Sequence, residues 1–361
     1  MTSFLHIIPN AYLGGTEKDC LYIIEASSTI SHTVLVLGEE GPMTLQWTNA
    51  GATVKHLHCL HLPNKQFIAN IENNLDKQYN ALLYWSTTKL PLVRYAVRKQ
   101  KCRLAVHAGN PLAFSILTTL KFLYAHFLYF STIETAIFSC SNYVRESHSN
   151  NLYFKRFKHF TSLNPVQLLE VNPYKAKDLS PSDTIILGMT ARLDPIKDHE
   201  TVIKAFADVQ KQYPYAELWL MGDGVLRKKL ESLCNELNIR DKIKFHGNVP
   251  NVYDYLQKLD IFMYATTPAE GLGNVVSEAM ANGLPCVVSD LPMMRELAGS
   301  SDNVVLVNTR EDFFTSILKL IKNSELRKTI SQNAFNHAIK NFSKKRYFED
   351  RIKYLYKTFK L

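Results

Sequence analysis

One stretch, Ile261 to Glu296, constrains the fold of this chain more than any other. It contains three apolar segments in order: a short run (261–264), a pattern at helical spacing (275–280) and a second short run (285–289). Asn282 and Gly283 follow the helical pattern as a helix C-terminal signal. This order of strand, glycine-containing turn, helix and strand predicts a βαβ unit. The turn of such a unit lies where open parallel sheets bind ligands.

The turn of this unit carries the polar chemistry. Glu270 precedes Gly271-Leu272-Gly273-Asn274, and Glu278 follows on the predicted helix. The glycines allow close backbone approach and leave free N–H groups at the helix start, which favour an anion. Two carboxylates would repel that anion unless each binds another group, and the diols of sugars and ribose offer hydroxyl donors. From the spacing alone, such a site and a plain helix start with surface glutamates are equally favoured.

The segment from Glu270 to Ser289 resembles the E-x7-E signature of retaining family-four glycosyltransferases of the bacterial polysaccharide and cell-envelope type. These enzymes have the GT-B fold, in which two Rossmann-like, doubly wound α/β domains face a central cleft. The resemblance implies that Glu278 holds the ribose diol and that Glu270 holds hydroxyls of the donor sugar. It also implies donor contacts from the backbone of the glycine turn, namely from Gly271, Leu272, Gly273 and Asn274.

The composition is that of a folded protein with an anionic partner. The chain of 361 residues has 46% hydrophobic and 21% charged residues, which suits roughly two domains with buried cores. Its net charge of +9 predicts attraction to nucleic acid, anionic lipid or phosphorylated substrates. The six cysteines are scattered without a CxxC pair, so we expect reduced thiols and a cytoplasmic protein. The first residues lack a basic, apolar leader, so we expect no signal peptide.

Apolar strands alternate with helical patterns in both halves of the chain. The first half has predicted strands at 4–8, 33–37, 81–85, 104–107 and 136–139. The second half has them at 184–190, 217–221, 242–246, 261–264, 286–289 and 304–307. A polar segment with prolines, 164–181, separates the halves. This pattern predicts a doubly wound parallel sheet in each half.

The resemblance gives these halves their roles and adds a third segment. It implies an acceptor-binding domain at residues 1–165 and a nucleotide-sugar-binding domain at residues 166–341. The C-terminal segment, 342–361, is basic and aromatic, and it has helical spacing of Tyr347, Ile352, Leu355 and Phe359. In the resembled family such a helix commonly crosses back to the N-terminal domain, and we expect the same here. The alternative is a helix packed on its own domain.

A glycine loop follows the first predicted strand. Gly14, Gly15, Thr16 and Glu17 precede a helix predicted from Leu21 to Ala26. The loop does not match G-x-G-x-x-G, which disfavours an NAD-linked oxidoreductase. In the resembled family this loop approaches the donor diphosphate and the acceptor, which implies donor contacts for the glycines and acceptor contacts for Thr16 and Glu17. A plain tight turn is the alternative.

His107 lies at the end of a predicted strand, and Asn110 follows in the next turn. A histidine in this position is more often structural, but the carboxyl ends of parallel strands also bind ligands. The resembled family places a histidine here against the donor sugar, which implies a sugar contact by His107 rather than a general base. Asn110 is assigned to the acceptor side.

Two cations, Arg192 and Lys197, lie in the loop after the strand 184–190. Together they can hold a diphosphate and stabilise the charge that grows on it as it leaves. A solvated basic loop is the alternative, but the resembled family has an arginine and a lysine here with this spacing. No D-x-D pair is present, so we expect a metal-independent site. The resemblance also implies that Val249, after the strand 242–246, contacts the nucleobase.

The most apolar stretch runs from Leu112 to Ile133 and is interrupted by Lys121 and His126. We expect a core or interfacial helix here rather than a membrane span. Basic residues precede and follow it: Lys89, Arg94, Arg98, Lys99, Lys101, Arg103, Lys155, Arg156 and Lys158. They predict either contact with an anionic membrane or an ordinary solvated face. Aromatic residues do not interleave with them as a stacking platform would, so we expect no nucleic-acid partner.

The resemblance implies a retaining glycosyltransferase that moves a sugar from a nucleoside-diphosphate sugar, with UDP favoured, to a hydroxyl of a glycan or lipid-linked glycan. The nucleotide sugar is a co-substrate, and no cofactor is expected. A nucleotide-sugar epimerase or hydrolase of the same fold, and a catalytically idle sugar-nucleotide-binding partner, are the alternatives. We expect the protein in the cytoplasm, peripheral to the inner face of the cytoplasmic membrane.

Overall fold

The computed structural model describes residues 2–27, 29–112, 115–176, 178–180 and 182–358, with the backbone alone for 352–358. The chain divides into two compact units. The first unit comprises residues 1–165 and 344–361, and the second comprises residues 166–343. All six cysteines are free thiols, and all but Cys102 are buried.

The first unit contains a seven-stranded parallel sheet. Its strands are β1 (Ser3–Ile8), β2 (Ser31–Val36), β3 (Thr53–His56), β4 (Ala81–Tyr84), β5 (Leu104–Ala108), β6 (Thr135–Ser139) and β7 (Lys158–Thr161). The helices that connect them are α1 (Gly15–Glu25), α2 (Met43–Asn49), α3 (Asn64–Asn73), α4 (Leu90–Ala96), α5 (Ile116–Leu128) and α6 (Asn142–Ser149), followed by a 3-10 turn (Phe154–Arg156). The strand order is β3-β2-β1-β4-β5-β6-β7.

The second unit contains a six-stranded parallel sheet. Its strands are β8 (Ile186–Thr190), β9 (Glu217–Met221), β10 (Ile243–Gly247), β11 (Ile261–Tyr264), β12 (Cys286–Ser289) and β13 (Val305–Val307). Its helices are α7 (His199–Gln212), α8 (Arg227–Glu236), α9 (Tyr253–Leu256), α10 (Asn274–Ala281), α11 (Pro292–Ala298), α12 (Arg310–Lys322) and α13 (Ser324–Asn341), with a 3-10 turn before β10 (Arg240–Lys242). The strand order is β10-β9-β8-β11-β12-β13.

Both sheets reverse their strand order at one point, between β1 and β4 in the first unit and between β8 and β11 in the second. Such a reversal is where connections on opposite faces of a sheet diverge and leave room for a ligand. The glycine loop predicted after the first strand follows β1. The segments with Arg192, Lys197 and Glu270 follow β8 and β11. The topology therefore brings the predicted polar loops of each unit to its switch point.

The apolar runs in the sequence predicted the strands of both sheets except two. Each predicted strand is found within two residues of its predicted bounds, whereas β3 and β7 were missed. These two strands form opposite edges of the first sheet and carry polar side chains, such as the exposed Thr53 and Lys158. An edge strand faces water along one side, so it lacks the apolar run that identifies a central strand.

The helix after the glycine loop begins earlier than predicted. The sequence placed its start at Leu21, but α1 begins at Gly15, so Gly15, Thr16 and Glu17 lie in its first turn. Gly14 is the N-cap residue in an extended conformation. The apolar spacing reveals only the buried part of α1, because its first turn carries no large apolar side chain.

The C-terminal helix, α14 (Lys344–Thr358), belongs to the first unit. Tyr347 is buried in the apolar cluster that includes Phe4, Cys20 and Phe138. At the start of α14, Lys344 Nζ lies 2.9 Å from Glu25 Oε2 on α1. The predicted contacts of Ile352 and Leu355, whose side chains are not described, and of Phe359 lie outside the described residues.

The apolar stretch 112–133, expected to form a core or interfacial helix, contains α5. None of the residues of α5 is buried, and the exposed fractions of Ile116 and Phe127 reach 70% and 80%. The Ser115 side chain caps the helix by accepting a hydrogen bond from the Thr118 N–H at 3.3 Å. This exposure does not fit a core helix, and the interfacial helix stays a prediction. Among the described helices, none combines the length and hydropathy that crossing a bilayer requires.

The basic residues near α5 do not form a uniform solvated face, because some are buried or paired and others are exposed. Arg94 is buried, and its guanidinium donates to Ser131 O, Ile133 O and Thr135 Oγ1, so it is not available to a partner. Three others form ion pairs within the unit: Arg98 with Glu72, and Arg103 and Lys158 with Glu134. Lys89 lies over the Phe67 ring. The exposed cations of this set that lie outside these contacts are Lys99, Lys101, Lys155 and Arg156.

Candidate functional site

Backbone hydrogen bonds join the two loops at the switch point of the second unit. The N–H of Asp198 donates to Ala265 O, and the N–H of Thr267 donates to Ile196 O, both at 3.0 Å. The Thr266 hydroxyl also donates to Ile196 O at 3.0 Å. The loop after β8 is therefore held against the loop after β11, and side chains that are far apart in sequence converge there.

Lys197, Tyr264 and Glu270 form the centre of this convergence. The Lys197 ammonium contacts Glu270 Oε2 and donates to Tyr264 Oη at 2.8 Å. Tyr264 Oη in turn donates to the same carboxylate oxygen at 2.5 Å. The other oxygen, Glu270 Oε1, accepts the N–H of Gly271 at 2.9 Å. The side chains of Lys197 and Glu270 are only 15% and 9% exposed, so water screens their attraction weakly.

These contacts fix the protonation of the cluster. Burial by itself raises the pKa of Glu270, but the Lys197 charge and the hydrogen bonds from Lys197, Tyr264 and Gly271 outweigh it and lower this pKa below its ordinary value. The pKa of Tyr264 is raised well above its ordinary value, first by burial and then by the Glu270 charge. At neutral pH the cluster therefore consists of a carboxylate held by an ammonium and by a neutral phenol.

The glycine turn leads from this cluster into α10. Gly271, Leu272 and Gly273 are buried, and Gly273 is the N-cap residue with φ +79°, in the left-handed region that favours glycine. A Cβ atom at Gly273 would lie 2.5 Å from Met294 Cε and 3.3 Å from Tyr264 Cε1. Asn274 and Val275 open the helix and are half-buried. The turn thus places the first N–H groups of α10 next to the Glu270 cluster.

Glu278 lies on the second turn of α10 and is 8% exposed. Its backbone carbonyl accepts hydrogen bonds from the Asn282 N–H and side-chain amide, at 3.2 and 2.9 Å. These bonds end α10 at the predicted Asn282-Gly283 signal. The two glutamates of the E-x7-E pattern thus lie on the turn and on the helix that it opens, as the sequence predicts.

Arg192 and Lys197 have different environments, although the sequence predicted them as one clamp. The Lys197 side chain is 15% exposed and contacts Glu270, whereas the Arg192 side chain is 74% exposed and its Nη2 lies 3.1 Å from Asp194 Oδ2. Asp194 in turn accepts the N–H of Ile196 at 3.0 Å, which shapes the loop. The loop therefore presents a fixed ammonium and an outward guanidinium.

Two more strand ends of the second sheet lie at the same edge. Gly222 follows β9 with φ +132°, and its N–H donates to Gly247 O, the last residue of β10, at 2.7 Å. A Cβ atom at Gly222 would lie 2.0 Å from Ala191 O, so only glycine fits between these loops. Val249 follows β10 and is half-buried. Val249, the predicted nucleobase contact, therefore follows the edge strand β10, whereas Glu270 follows the central strand β11.

In the first unit, His107 lies on β5 and is 4% exposed. Its Nδ1 accepts a hydrogen bond from Arg351 Nη2 on α14 at 3.1 Å. Burial, followed by the charges of Arg351 and His148, lowers the pKa of His107 well below its ordinary value. The imidazole is consequently neutral at physiological pH.

The glycine loop of the first unit meets the end of β5. A Cβ atom at Gly109 would lie 3.1 Å from His107 Nε2 and 3.5 Å from Thr16 Oγ1, so these two side chains face the same small space. Gly14 is partly covered by Glu17, whose Oε2 would lie 2.4 Å from a Cβ atom there. Gly15 and Asn110 are exposed. The structure thus brings Thr16 and His107 together and leaves Asn110 outside this space.

Sequence reasoning missed two residues of these sites. Tyr264 was interpreted only as the end of an apolar strand, although the last residue of a parallel strand reaches the ligand-binding edge. Arg351 lies in a basic helix with many other cations, and no local pattern distinguishes it from them. Its partner is 244 residues away in sequence, so only the fold reveals the contact.

Residues 171–337 match the family model of glycosyl transferases group 1, wholly within the second unit. The matched segment, which covers less than half of the chain, is similar to group 1 glycosyl transferases. The chain is 30% identical over 195 residues to the N-acetylgalactosamine-N,N'-diacetylbacillosaminyl-diphospho-undecaprenol 4-alpha-N-acetylgalactosaminyltransferase of Campylobacter jejuni, over 53% of this chain and 52% of that protein. It is 27% identical over 172 residues to the lipopolysaccharide core biosynthesis glycosyltransferase LpsE of Rhizobium meliloti, over 47% and 49%. The chain thus spans about half the length of these curated relatives.

The fold of this chain is similar to that of Anabaena HepE, solved in complex with UDP and glucose. The TM-score is 0.81 at 18% sequence identity, and the similarity covers 98% of this chain and 99% of that one. The predicted GT-B fold class is therefore confirmed. The resemblance to glycosyltransferases predicted from the segment between Glu270 and Ser289 is confirmed by the match of residues 171–337.

We predict that Gly273→Ala disrupts the glycine turn. The substitution forces an L side chain into a left-handed conformation and against Met294, which should cost about 1–3 kcal/mol of stability. It should also weaken nucleotide binding measured by calorimetry, because the N–H groups of α10 move. Gly51→Ala is the matched control, since Gly51 has φ +95° with open space around it. Equal nucleotide affinity in both variants would contradict a ligand role for the turn.

We predict that Lys197→Met lowers the free energy of unfolding of the second unit by about 3 kcal/mol, because it leaves the Glu270 carboxylate buried without its counter-ion. Combining it with Glu270→Gln should recover part of the loss. Fluorine NMR of fluorotryptophan-labelled protein during urea unfolding measures this, since Trp219 is the one tryptophan of the second unit. A double variant as unstable as Lys197→Met alone would contradict an unpaired Glu270 charge as the cause of the loss.

The same pair predicts a pH dependence. Because the folded pKa of Glu270 lies below its unfolded value, its contribution is fully present above the unfolded pKa and is lost as pH falls through the folded pKa. Between neutral pH and about pH 3, Glu270→Gln should therefore lose less stability than the unmodified protein. Identical acid profiles of Trp219 unfolding would contradict the lowered pKa.

Proposed function

We propose that this protein is a retaining, metal-independent glycosyltransferase. It would move a sugar from a nucleoside-diphosphate sugar, with UDP favoured, to a hydroxyl of a glycan or lipid-linked glycan. The observation that carries the proposal is the Lys197–Tyr264–Glu270 cluster next to the glycine turn at the switch point of the second unit. This arrangement offers cations and N–H groups for a diphosphate and carboxylates for the hydroxyls on either side of it.

Lys197 keeps a donor for the diphosphate while it holds Glu270. An ammonium has three donors, and contacts to Glu270 and Tyr264 Oη account for two of them. The Arg192 guanidinium reaches outward from the same loop and adds a second positive charge. As the bond from the anomeric carbon to the diphosphate breaks, negative charge grows on the leaving oxygen, and these two cations stabilise it. In this proposal they do the work that a metal ion does in other transferases.

The carboxylates orient the two ends of the donor. Glu270 accepts hydrogen bonds from hydroxyls of the donor sugar, and Glu278, on α10, accepts them from the ribose diol. Lys197 neutralises Glu270, which lowers the repulsion between this carboxylate and the diphosphate. The leaving phosphate accepts the proton of the acceptor hydroxyl on the same face of the sugar. The α configuration of the donor is thereby retained in the product.

The names of similar proteins support the class of donor and acceptor. The Campylobacter relative is named as an alpha-N-acetylgalactosaminyltransferase acting on a diphospho-undecaprenol-linked sugar, and HepE was solved with UDP. We propose the same classes, a UDP-sugar and a lipid-linked glycan, for this protein. A nucleotide-sugar epimerase or hydrolase would release or convert the sugar without an acceptor, and an idle binding partner would do neither.

We predict that Glu278→Gln and Arg192→Met each lower the rate of acceptor-dependent UDP release by about 10²-fold or more. The reasons are the loss of ribose orientation in the first variant and of leaving-group stabilisation in the second. The assay combines a panel of UDP-sugars with polyprenyl-diphosphate-linked sugars. Arg310→Met is the matched control, because Arg310 is a half-exposed arginine that pairs with Asp208 outside the site. UDP release that does not depend on acceptor would favour the hydrolase, and normal rates in both variants would refute the site.

We further propose that the protein binds the inner face of the cytoplasmic membrane through α5. One side of this helix, the apolar face, consists of exposed side chains at helical spacing: Ile116, Leu117, Leu120, Tyr124, Phe127 and Leu128. The other side packs on the first unit, where the Phe122 ring lies 5.1 Å from the Tyr153 ring and 5.3 Å from the Phe154 ring. The helix is therefore anchored by one side and presents the other outward.

The charge around α5 favours an anionic bilayer as the occupant. Residues 77–169 contain twelve lysines and arginines and two glutamates, a surplus as large as the net charge of the whole chain. Lys121 borders the apolar face, and Lys155 and Arg156 are exposed on the 3-10 turn against which α5 packs. Two copies of this face would bring like charges together, whereas anionic lipid headgroups would neutralise them.

We predict that Phe127→Ser weakens binding to vesicles of anionic and zwitterionic lipid by about tenfold or more, because a largely exposed aromatic ring no longer enters the bilayer. Co-sedimentation measures the binding, and higher salt should weaken it as well. Val225→Ser is the matched control, since Val225 is 85% exposed in the second unit. Failure of the unmodified protein to bind vesicles would refute the proposal, as would a dimer that Phe127→Ser dissociates.

A further inference from the structure

The contact between Arg351 and His107 is the least expected feature of the first unit. Arg351 is 3% exposed and comes from α14, whereas His107 lies on β5 in the middle of the sheet. The guanidinium carbon lies 4.3 Å from the centre of the Tyr347 ring and 5.8 Å from that of Trp85. Burying a guanidinium is costly, and these ring faces offset only part of that cost. A buried arginine that reaches a histidine by hydrogen bond therefore suggests a specific role.

The hydrogen bond determines where the histidine carries its proton. A guanidinium has only donors and keeps its charge at all relevant pH values, so His107 Nδ1 must accept with its lone pair. The single proton of the neutral imidazole then lies on Nε2. Adding a proton to Nδ1 would break the bond and place two cations in contact. Arg351 thus excludes both the other tautomer and the charged form.

The Nε2 atom lies next to Gly109, in the turn after β5. It is buried and has no hydrogen-bond partner among the described residues. A Cβ atom at Gly109 would lie 3.1 Å from it, and Thr16 Oγ1 borders the same space. A buried N–H without a partner is costly, and a ligand oxygen would remove that cost.

A second buried series of hydrogen bonds holds the Trp85 indole beside His107. The Trp85 Nε1–H donates to His6 Nδ1 at 3.1 Å, and His6 Nε2 lies 2.9 Å from His32 Nδ1. Since Trp85 can only donate, His6 carries its proton on Nε2 and donates to His32. The Trp85 ring lies 5.5 Å from the His107 ring. The Trp85 side of His107 is thereby fixed as well, and the Nε2 atom is left without a partner among the described residues.

We propose that Arg351 is a positioning residue, which fixes His107 as a neutral imidazole whose Nε2–H donates a hydrogen bond to a substrate oxygen beside Gly109 and Thr16. The tautomer follows from the first unit alone, whereas the substrate oxygen rests on the proposed transferase function. In this role His107 orients a sugar hydroxyl or ring oxygen and removes no proton during transfer. The C-terminal helix consequently completes the substrate-binding edge of the first unit.

Nitrogen NMR of the unmodified protein labelled at histidine tests the tautomer directly. His107 is assigned as the signal missing in His107→Gln. We expect a protonated Nε2 and an unprotonated Nδ1 at neutral pH. A proton on Nδ1, or a charged imidazolium, would overturn the proposal, whatever the protein binds.

Two matched substitutions at position 107 test the role toward substrate. The glutamine amide places an N–H near Nε2, whereas the asparagine amide reaches only the position of Nδ1. We expect His107→Gln to keep transfer within about tenfold and His107→Asn to lose about 10²-fold. A more active asparagine variant would overturn the donor role. If the unmodified protein binds no nucleotide sugar at all, the transferase proposal fails, and the NMR result still decides the tautomer.

Removing the positioning residue completes the test. In Arg351→Met we expect a mixture of His107 tautomers and a kcat lowered by about 10-fold to 10²-fold, with little change in the KM for donor. Arg346→Met is the control on the same helix, because Arg346 is half-exposed and lies 3.8 Å from Asp350. An unchanged tautomer and kcat in Arg351→Met would refute the proposal. If this variant does not fold, the NMR of the unmodified protein and the two variants at position 107 remain decisive.

Discussion

The ion pair between Lys197 and Glu270 is the interaction on which the candidate site of the second unit depends. It joins the loop after β8 to the loop after β11 at the switch point of the sheet, and it acts together with the Tyr264 hydroxyl. It also resolves an electrostatic conflict, since a carboxylate next to an anion-binding helix start would repel a diphosphate. With Lys197 in contact, Glu270 stays ionised without presenting a bare negative charge. In the proposed function, the same ammonium therefore serves both the carboxylate and the diphosphate.

Much of this arrangement could be predicted from the sequence, because its signals are local. The strand before Glu270, the glycine turn and the helix with Glu278 follow one another within one short segment, so their spacing determines their geometry. The central strands were predictable because burial on both faces demands an apolar run. The edge strands β3 and β7 were missed, since half-exposed strands have no such run. The start of α1 at Gly15 was missed for the same reason.

Contacts between distant segments could not be predicted. Nothing in the local pattern of Tyr264 shows that its hydroxyl reaches Glu270 and Lys197, and nothing near Arg351 indicates His107. The hydropathy of α5 likewise does not distinguish a buried helix from an exposed one, because both are apolar. The fold makes the difference: one side of α5 packs through Phe122, and Phe127 on the other side faces outward. In each case the packing of other segments supplies the information that the sequence pattern lacks.

The melting temperature of the protein tests directly whether it binds a nucleoside-diphosphate sugar without a metal ion. It is measured with UDP, GDP and ADP and their common sugars, once with magnesium and once with chelator. A ligand that binds only the folded state raises the melting temperature by mass action. We predict a clear rise with one nucleotide family, UDP being favoured, and the same rise in chelator, because in the proposed function Lys197 and Arg192 hold the diphosphate. No rise with any nucleotide would contradict this prediction and would favour an idle relative of the family. A rise that disappears in chelator would contradict the metal-independent site.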